Sequence, residues 1–273
     1  RIEIQPIRMS QFTAKLRLRV NSKAGHFPEA PQILVAGCGT GQNSLDTTSR
    51  FKNSHVTAID LSLSSLAYAR RKTEEFGFTN IEYMQADLLD LGLLGKQFDI
   101  VESAGVLHHM DDPIAGWKVL RNCLKPGGLM RIGLYSELAR RHIVKARRII
   151  ADEGISSSKE DMLAFRRYII RQNDPDLNRL IEFTDFYSTS MMRDLLFHVQ
   201  EHRFTIPQIN KLLPELGLKF SGFEFGNTNM NILFTQSYPQ DEALYDLESW
   251  HEFEIENPDL FSAMYQFWVQ RVE

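Results

Sequence analysis

"ILVAGCGTGQ", residues 33–42, runs four apolar, strand-forming residues into a turn that carries Gly37, Gly39 and Gly41. Glycine lets a backbone turn tightly and lets another molecule approach it closely. A glycine turn leaving a buried strand is where open parallel sheets hold a cofactor. Two cofactor classes suit such a turn. One is a dinucleotide with a pyrophosphate, the other a nucleoside without phosphate. The first implies hydride transfer, the second group transfer.

Residues 33–136 repeat a strand-then-helix rhythm around that turn. "HVTAID" (55–60), "IEYMQAD" (81–87), "FDIVES" (98–103) and "LMRIGLYS" (129–136) read as strands. "LSSLAYARRKTEEFG" (63–77) and "DPIAGWKVLRNCL" (112–124) read as helices, one with a glycine stop and one with proline in its first turn. Strands separated by helices predict a parallel sheet covered on both faces. The fold class is therefore α/β, with a Rossmann-like core over residues 31–136. Helical patterns fill 137–204, an insertion after the fifth strand. Residues 205–240 read as a last core helix followed by an antiparallel strand pair, "LKFSGFEF" (218–225) and "NILFTQ" (231–236). Residues 1–30 form a lead-in, whose first 23 residues hold six Lys/Arg against one acid and include the alternating "KLRLRV". The tail, 241–273, is acidic and aromatic.

Composition narrows the function. The 273-residue chain is 43% hydrophobic, enough for a sizeable core, with net charge -4. That charge disfavours nucleic acid as the main partner. Two cysteines, Cys38 and Cys123, do not make a disulfide framework and suit a reducing, cytoplasmic setting. No apolar run approaches the roughly 20 residues of a membrane span. The sequence opens on Arg1 rather than Met, as in a fragment, a processed product or a chain whose start is missing, and an upstream domain is one expectation among these.

Three features decide between the cofactor classes. The turn reads G-x-G-x-G, with Gln42 where a dinucleotide turn has its third glycine. Asp60 closes the second strand, where a carboxylate binds ribose hydroxyls in either class. Asp87 closes the third strand and can accept a hydrogen bond from an adenine amino group. The strand pair after the last helix also replaces further parallel units.

"VAGCGTGQ", "AIDLS", "QADLLDL", "FDIVESAGVLHHMDDP" and "LKPGGLMRIGLYS", in this order, resemble the motifs of class I S-adenosylmethionine (SAM)-dependent methyltransferases. The ubiquinone/menaquinone-biosynthesis branch is the most similar. The segment from "DFYSTS" to the tail resembles the extension of bacterial methyltransferases fused to tetratricopeptide repeats. The resemblance implies SAM as cofactor and S-adenosylhomocysteine (SAH) as product. It places Gly37, Cys38, Gly39 and Gly41 at the methionine part, Asp60 and Leu61 at the ribose, Asp87 and Leu88 at the adenine, and Ser103, Ala104 and Gly105 beside the sulfonium.

The acceptor side is read from residue types. SAM is already activated, so the protein mainly aligns nucleophile, methyl carbon and sulfur. His109 is a candidate base, with His108 beside it, although a histidine in that loop can equally bond backbone. In "DFYSTSMMRDLLFHVQEHRFT" (185–205), Tyr187 and His198 are candidate catalytic groups, and Arg193, Glu201, His202 and Arg203 candidate acceptor contacts. HVQEH also matches the inverted zinc-hydrolase pattern H-x-x-E-H, but no third ligand is identifiable, so no metal is expected. A small-molecule acceptor is expected beneath a helical lid. RNA or protein acceptors rest on the basic run Arg140, Arg141, Lys145, Arg147 and Arg148. A zinc hydrolase and a non-catalytic SAM-binding module are the remaining alternatives.

Overall fold

The structure, a computed structural model, describes residues 5–21, 27–197, 201–226 and 229–272. Seven strands form one sheet in the order β3-β2-β1-β4-β5-β7-β6. Their ranges are β1 Gln32–Ala36, β2 His55–Asp60, β3 Ile81–Gln85, β4 Phe98–Ala104, β5 Leu124–Leu134, β6 Leu218–Phe223 and β7 Tyr265–Arg271. The first five pair in parallel, and β7 runs antiparallel to both β5 and β6. The order in which the strands are connected reverses at β1, which lies between β2 and β4. The carboxyl ends of these strands therefore make the ligand crevice.

Helices α1 Met9–Lys15, α2 Gln42–Arg50, α3 Leu63–Glu75 and α4 Pro113–Cys123 accompany the parallel half. Their starts follow local chemistry. The Ser62 hydroxyl accepts the Ser65 N–H at the head of α3, and Asp112 caps α4 from Ile114 and Ala115 ahead of Pro113. The insertion contains α5 Arg141–Asp152, α6 Lys159–Arg171, α7 Pro175–Arg179 and α8 Thr189–Phe197. Its own core gathers Ile143, Phe165, Ile169, Leu180, Phe186 and Met192. Then come α9 Ile206–Glu215, α10 Asn229–Ser237 and α11 Leu247–Glu256.

The expected antiparallel pair exists, but its second member is different. Residues 231–236 belong to α10, and β7 from the tail fills the strand position. That position lies between β5 and β6 and is covered on both faces. "YQFWVQR" meets the demand, since Tyr265, Phe267, Trp268 and Val269 are all fully buried. "NILFTQ" does not, because only Phe234 is buried while Ile232 and Leu233 stay exposed. Phe234 instead stacks on Trp250, 3.7 Å between ring centres. The tail is thus a sheet strand plus its supporting helix, rather than an appendage.

The lead-in is corrected too. "KLRLRV" spans the end of α1 and an irregular segment rather than a strand. Arg17 adopts φ +53°, which breaks extended pairing. Arg17 and Arg19 pair with Asp241 and Glu242, so the basic lead-in meets the acidic tail.

Candidate active site

The three turn glycines all have positive φ: +74° at Gly37, +52° at Gly39 and +92° at Gly41. Their surroundings differ. A Cβ on Gly37 would lie 2.1 Å from Val106, and one on Gly41 would lie 2.7 Å from Ala69 of α3. These two glycines let the loop pack. A Cβ on Gly39 would meet nothing within 4 Å, so its backbone faces open space.

Asp60 ties this turn to the next. One carboxylate oxygen accepts the Gly39 N–H at 2.8 Å, and the other accepts the Ser62 N–H at 2.9 Å. Each oxygen keeps a lone pair for a ribose hydroxyl. Asp87 accepts the Leu89 N–H at 2.9 Å through Oδ1, and Oδ2 has no partner among the described residues. Leu61 is 65% exposed beside Asp60, whereas the Leu88 side chain is buried in the core and leaves only its backbone for a ligand. Ser103, Ala104 and Gly105 end β4, with Gly105 at φ +81° and the Ser103 hydroxyl buried without a partner among the described residues. Burial, reinforced by the Asp60 carboxylate, pushes the Cys38 thiol up to about 12. A protonated, buried thiol is inert, so Cys38 packs the turn. A free backbone face, lone pairs on Asp60 and an unused oxygen on Asp87 fit the methionine, ribose and adenine portions of SAM.

A cavity of about 990 Å³ opens from this edge. Asp60 and Ser65 line one end, and His109, Tyr135 and Arg140 its floor. The insertion contributes Phe183, Asp185, Met191, Asp194 and Leu195, and the tail Ser262, Ala263 and Met264. Ligand pockets run from about 300 to 1,000 Å³, so this one has room for cofactor and acceptor together. Gly133 of β5 leaves space for the tail here, since its Cβ would lie 2.7 Å from the Met264 sulfur.

Of the acceptor-side candidates among the described residues, only His109 lines the cavity directly. His108 lies behind it, fully buried, with its ring stacked 3.7 Å from Tyr135 and its carbonyl accepting the His202 N–H. Glu201 is a structural counter-ion. Arg140 grips it bidentately at 3.0 and 2.7 Å, and Arg147 adds a 2.9 Å contact. Arg203 pairs with Glu137 at 2.9 Å. Tyr187 stands outside the cavity, exposed, with its hydroxyl donating to the Ile181 carbonyl. Arg193 is also outside, donating to the Ser157 carbonyl. His198 falls outside the described residues. Among the described residues, no group of three or more His, Cys, Asp or Glu side chains can hold a metal. The basic run is spoken for: Arg141 pairs with Asp259, Lys145 with Asp174 and Asp176, and Arg148 with Asp152.

Sequence reasoning missed Tyr135, Arg140, Asp185, Asp194 and the 262–264 segment. One signal pointed at Tyr135, its place just past a parallel strand's carboxyl end. The others depend on contacts between distant segments.

Residues 33–128 match the family described as "Methyltransferase domain". An uncharacterized protein of Synechococcus, syc1184_c, is 30% identical over 82% of this chain and 56% of its own length. A ubiquinone biosynthesis O-methyltransferase of Cereibacter sphaeroides is 35% identical over 36% of this chain and 39% of the relative. The structure of PKMT2 from Rickettsia typhi in complex with AdoHcy aligns with TM-score 0.66 at 18% identity, over 94% of this chain and 51% of that one. The likeness of fold thus extends through the insertion and the tail. The chain spans about half the length of the first of these relatives. Glycine turn, Asp60 carboxylate, sheet order and family match agree: residues 33–128 carry a methyltransferase domain of the SAM-dependent kind, with SAM as its cofactor.

Proposed function

We propose that this chain moves the methyl group of SAM to a small-molecule acceptor held between the sheet edge and the helical insertion. The carrying observation is the continuous cavity of about 990 Å³ from Asp60 to Phe183, Asp185 and Met264. An acceptor drawn into it is enclosed by three segments and shielded from water, which suits a small molecule. The ubiquinone-biosynthesis relative supports the same class. The pairing of the basic run with acids removes the feature that favoured RNA.

In this reading residues 137–204 act as the acceptor-side lid. SAM supplies an activated methyl. The chain's residues align the partners: Asp60 fixes the ribose, the wall of Ser103, Ala104 and Gly105 borders the sulfur, and His109 faces the acceptor. A cytoplasmic location belongs to the same proposal. Among the described residues, no helix is long and apolar enough to cross a membrane.

Calorimetry with SAH and NADH, followed by consumption of labelled SAM against a metabolite library, tests the reading. SAH is expected to bind, NADH is not, and one library member should accept label. SAH binding with methylation only of added RNA or protein would overturn the acceptor class.

A further inference from the structure

Tyr135 follows β5 at the ligand edge, two residues past Gly133, which pairs with Ala104. Strand register therefore sets it next to the wall that the cofactor reading puts beside the sulfur. The His108 ring lies 3.7 Å from its ring centre, tilted 27°, and the Arg140 guanidinium carbon lies 3.6 Å from the same point. Two groups that close to one ring centre overlap unless they take opposite faces. The phenol ring is thus clamped between an imidazole and a guanidinium.

The clamp is anchored at both ends. Arg140 is held bidentately by the buried carboxylate of Glu201. His108 and His202 are joined by a backbone hydrogen bond of 2.8 Å, and Tyr135 takes the Phe204 N–H on its carbonyl at 2.8 Å. The Glu201 of HVQEH, which a metal reading would make a catalytic group, instead neutralises the plate that holds Tyr135. Yet the Tyr135 hydroxyl has no hydrogen-bond partner among the described residues, although the residue lines the cavity. The residue is half-buried and its hydroxyl opens to the cavity, where water or a ligand satisfies it. Holding the ring this firmly, with its hydroxyl left for the cavity, is the pattern of a preorganised ligand contact.

We propose that the Tyr135 hydroxyl is the polar contact that holds the acceptor's nucleophilic N–H or O–H at the transfer point, and that Glu201 is a positioning residue acting through Arg140. This rests on the methyltransferase reading above. Burial raises the phenol above its ordinary value, with Arg140 opposing and Glu201 adding to the effect. The hydroxyl is therefore neutral near pH 7, and its oxygen can accept the nucleophile's hydrogen. The nucleophile's lone pair is then left facing the methyl carbon.

Sinefungin tests this without knowledge of the acceptor. It carries an amine where SAM carries the methyl group, so its N–H stands at the transfer point. Binding of SAH and of sinefungin is measured by calorimetry for the unaltered protein, Tyr135→Phe and Glu201→Gln, each below its own melting temperature. Tyr135→Phe keeps the stacked ring and is expected to fold. It should hold SAH within about threefold while sinefungin weakens about tenfold, a difference of about 1.4 kcal/mol. Glu201→Gln should lower the sinefungin-to-SAH ratio in the same direction. A merely structural Glu201 would leave the ratio unchanged, which overturns its positioning role. An unchanged ratio in Tyr135→Phe overturns the contact itself. Failure of SAH to bind the unaltered protein overturns the cofactor reading and this inference with it.

Discussion

The two sides of the cavity are built by different means. The cofactor side is made of backbone turns, each closed within a short stretch of chain. Among the described residues, the Asp60 carboxylate bonds Gly39 and Ser62, and that of Asp87 bonds Leu89. The acceptor side is made of charge pairs between distant segments. Arg140 and Glu201 are 61 residues apart, and the tail reaches in from residues 262–264. A site held by turns keeps its shape when a remote side chain changes. A site held by buried ion pairs depends on each partner.

This contrast predicts where substitutions act. Glu201→Gln should have the largest effect, on stability rather than on cofactor. Removing one member of a buried ion pair costs about 3–5 kcal/mol, because the remaining charges lose their compensation. Thermal unfolding should drop sharply while SAH affinity stays within about threefold. Equal losses in both would merge the two sides into one unit.

Asp60→Ala comes next, with the opposite signature. It removes the proposed ribose acceptor and the ties to Gly39 and Ser62. Charge-assisted bonds of this kind are worth about 1.5–3 kcal/mol, so SAH affinity should fall by roughly 10- to 150-fold. Calorimetry showing SAH affinity preserved would remove Asp60 from the cofactor site.

His142 gives the insertion a pH signature. It is fully buried on α5, stacks on Phe183 and has Arg140, Arg141, Arg179 and Asp259 about it. Burial first, then the neighbouring arginines, lower its value from 6.5 to about 4. The unfolded chain binds this proton more readily than the folded one. Stability from neutral His142 is therefore complete above pH 6.5 and declines as pH falls toward about 4. His142→Phe should flatten that decline, by on the order of 1 kcal/mol or roughly 2–4 °C in Tm at pH 5. Parallel melting curves for both proteins across this range would contradict the assignment.

The smallest effect belongs to Tyr187→Ala. With its ring exposed and its hydroxyl on the Ile181 carbonyl, its loss should change stability by less than about 0.5 kcal/mol. SAH affinity should not move, and turnover, once an acceptor is found, should match the unaltered protein. A large loss of turnover would return Tyr187 to the acceptor side.

The same contrast explains what could be read from sequence. Gly37, Asp60 and Asp87 are legible because the strand that aims each residue and the turn that uses it are neighbours in the chain. β7 was not legible, because its place depends on two flanking strands distant in the chain, β5 (Leu134 opposite Tyr265) and β6 (Phe223 opposite Phe267). Apolar character at 231–236 satisfied a strand pattern, but one buried Phe234 was all the fold required. Tyr187 and Arg193 stand out in the sequence by chemistry and by the density of polar types around them. Which face of the insertion meets the cavity is decided by how α5 and α8 pack, and no local pattern carries that.

The position of β7 also orders the birth of the molecule. Among the described residues β6 pairs with no strand other than β7, and β5 has β7 as its outer neighbour. A growing chain that has emitted residues up to 260 therefore holds two strands with bare edges toward a vacant position between them. Such edges recruit strands from other molecules. Until residues 265–271 emerge, the nascent protein is a candidate for misassembly, and any cut that removes them should yield aggregation rather than a smaller enzyme.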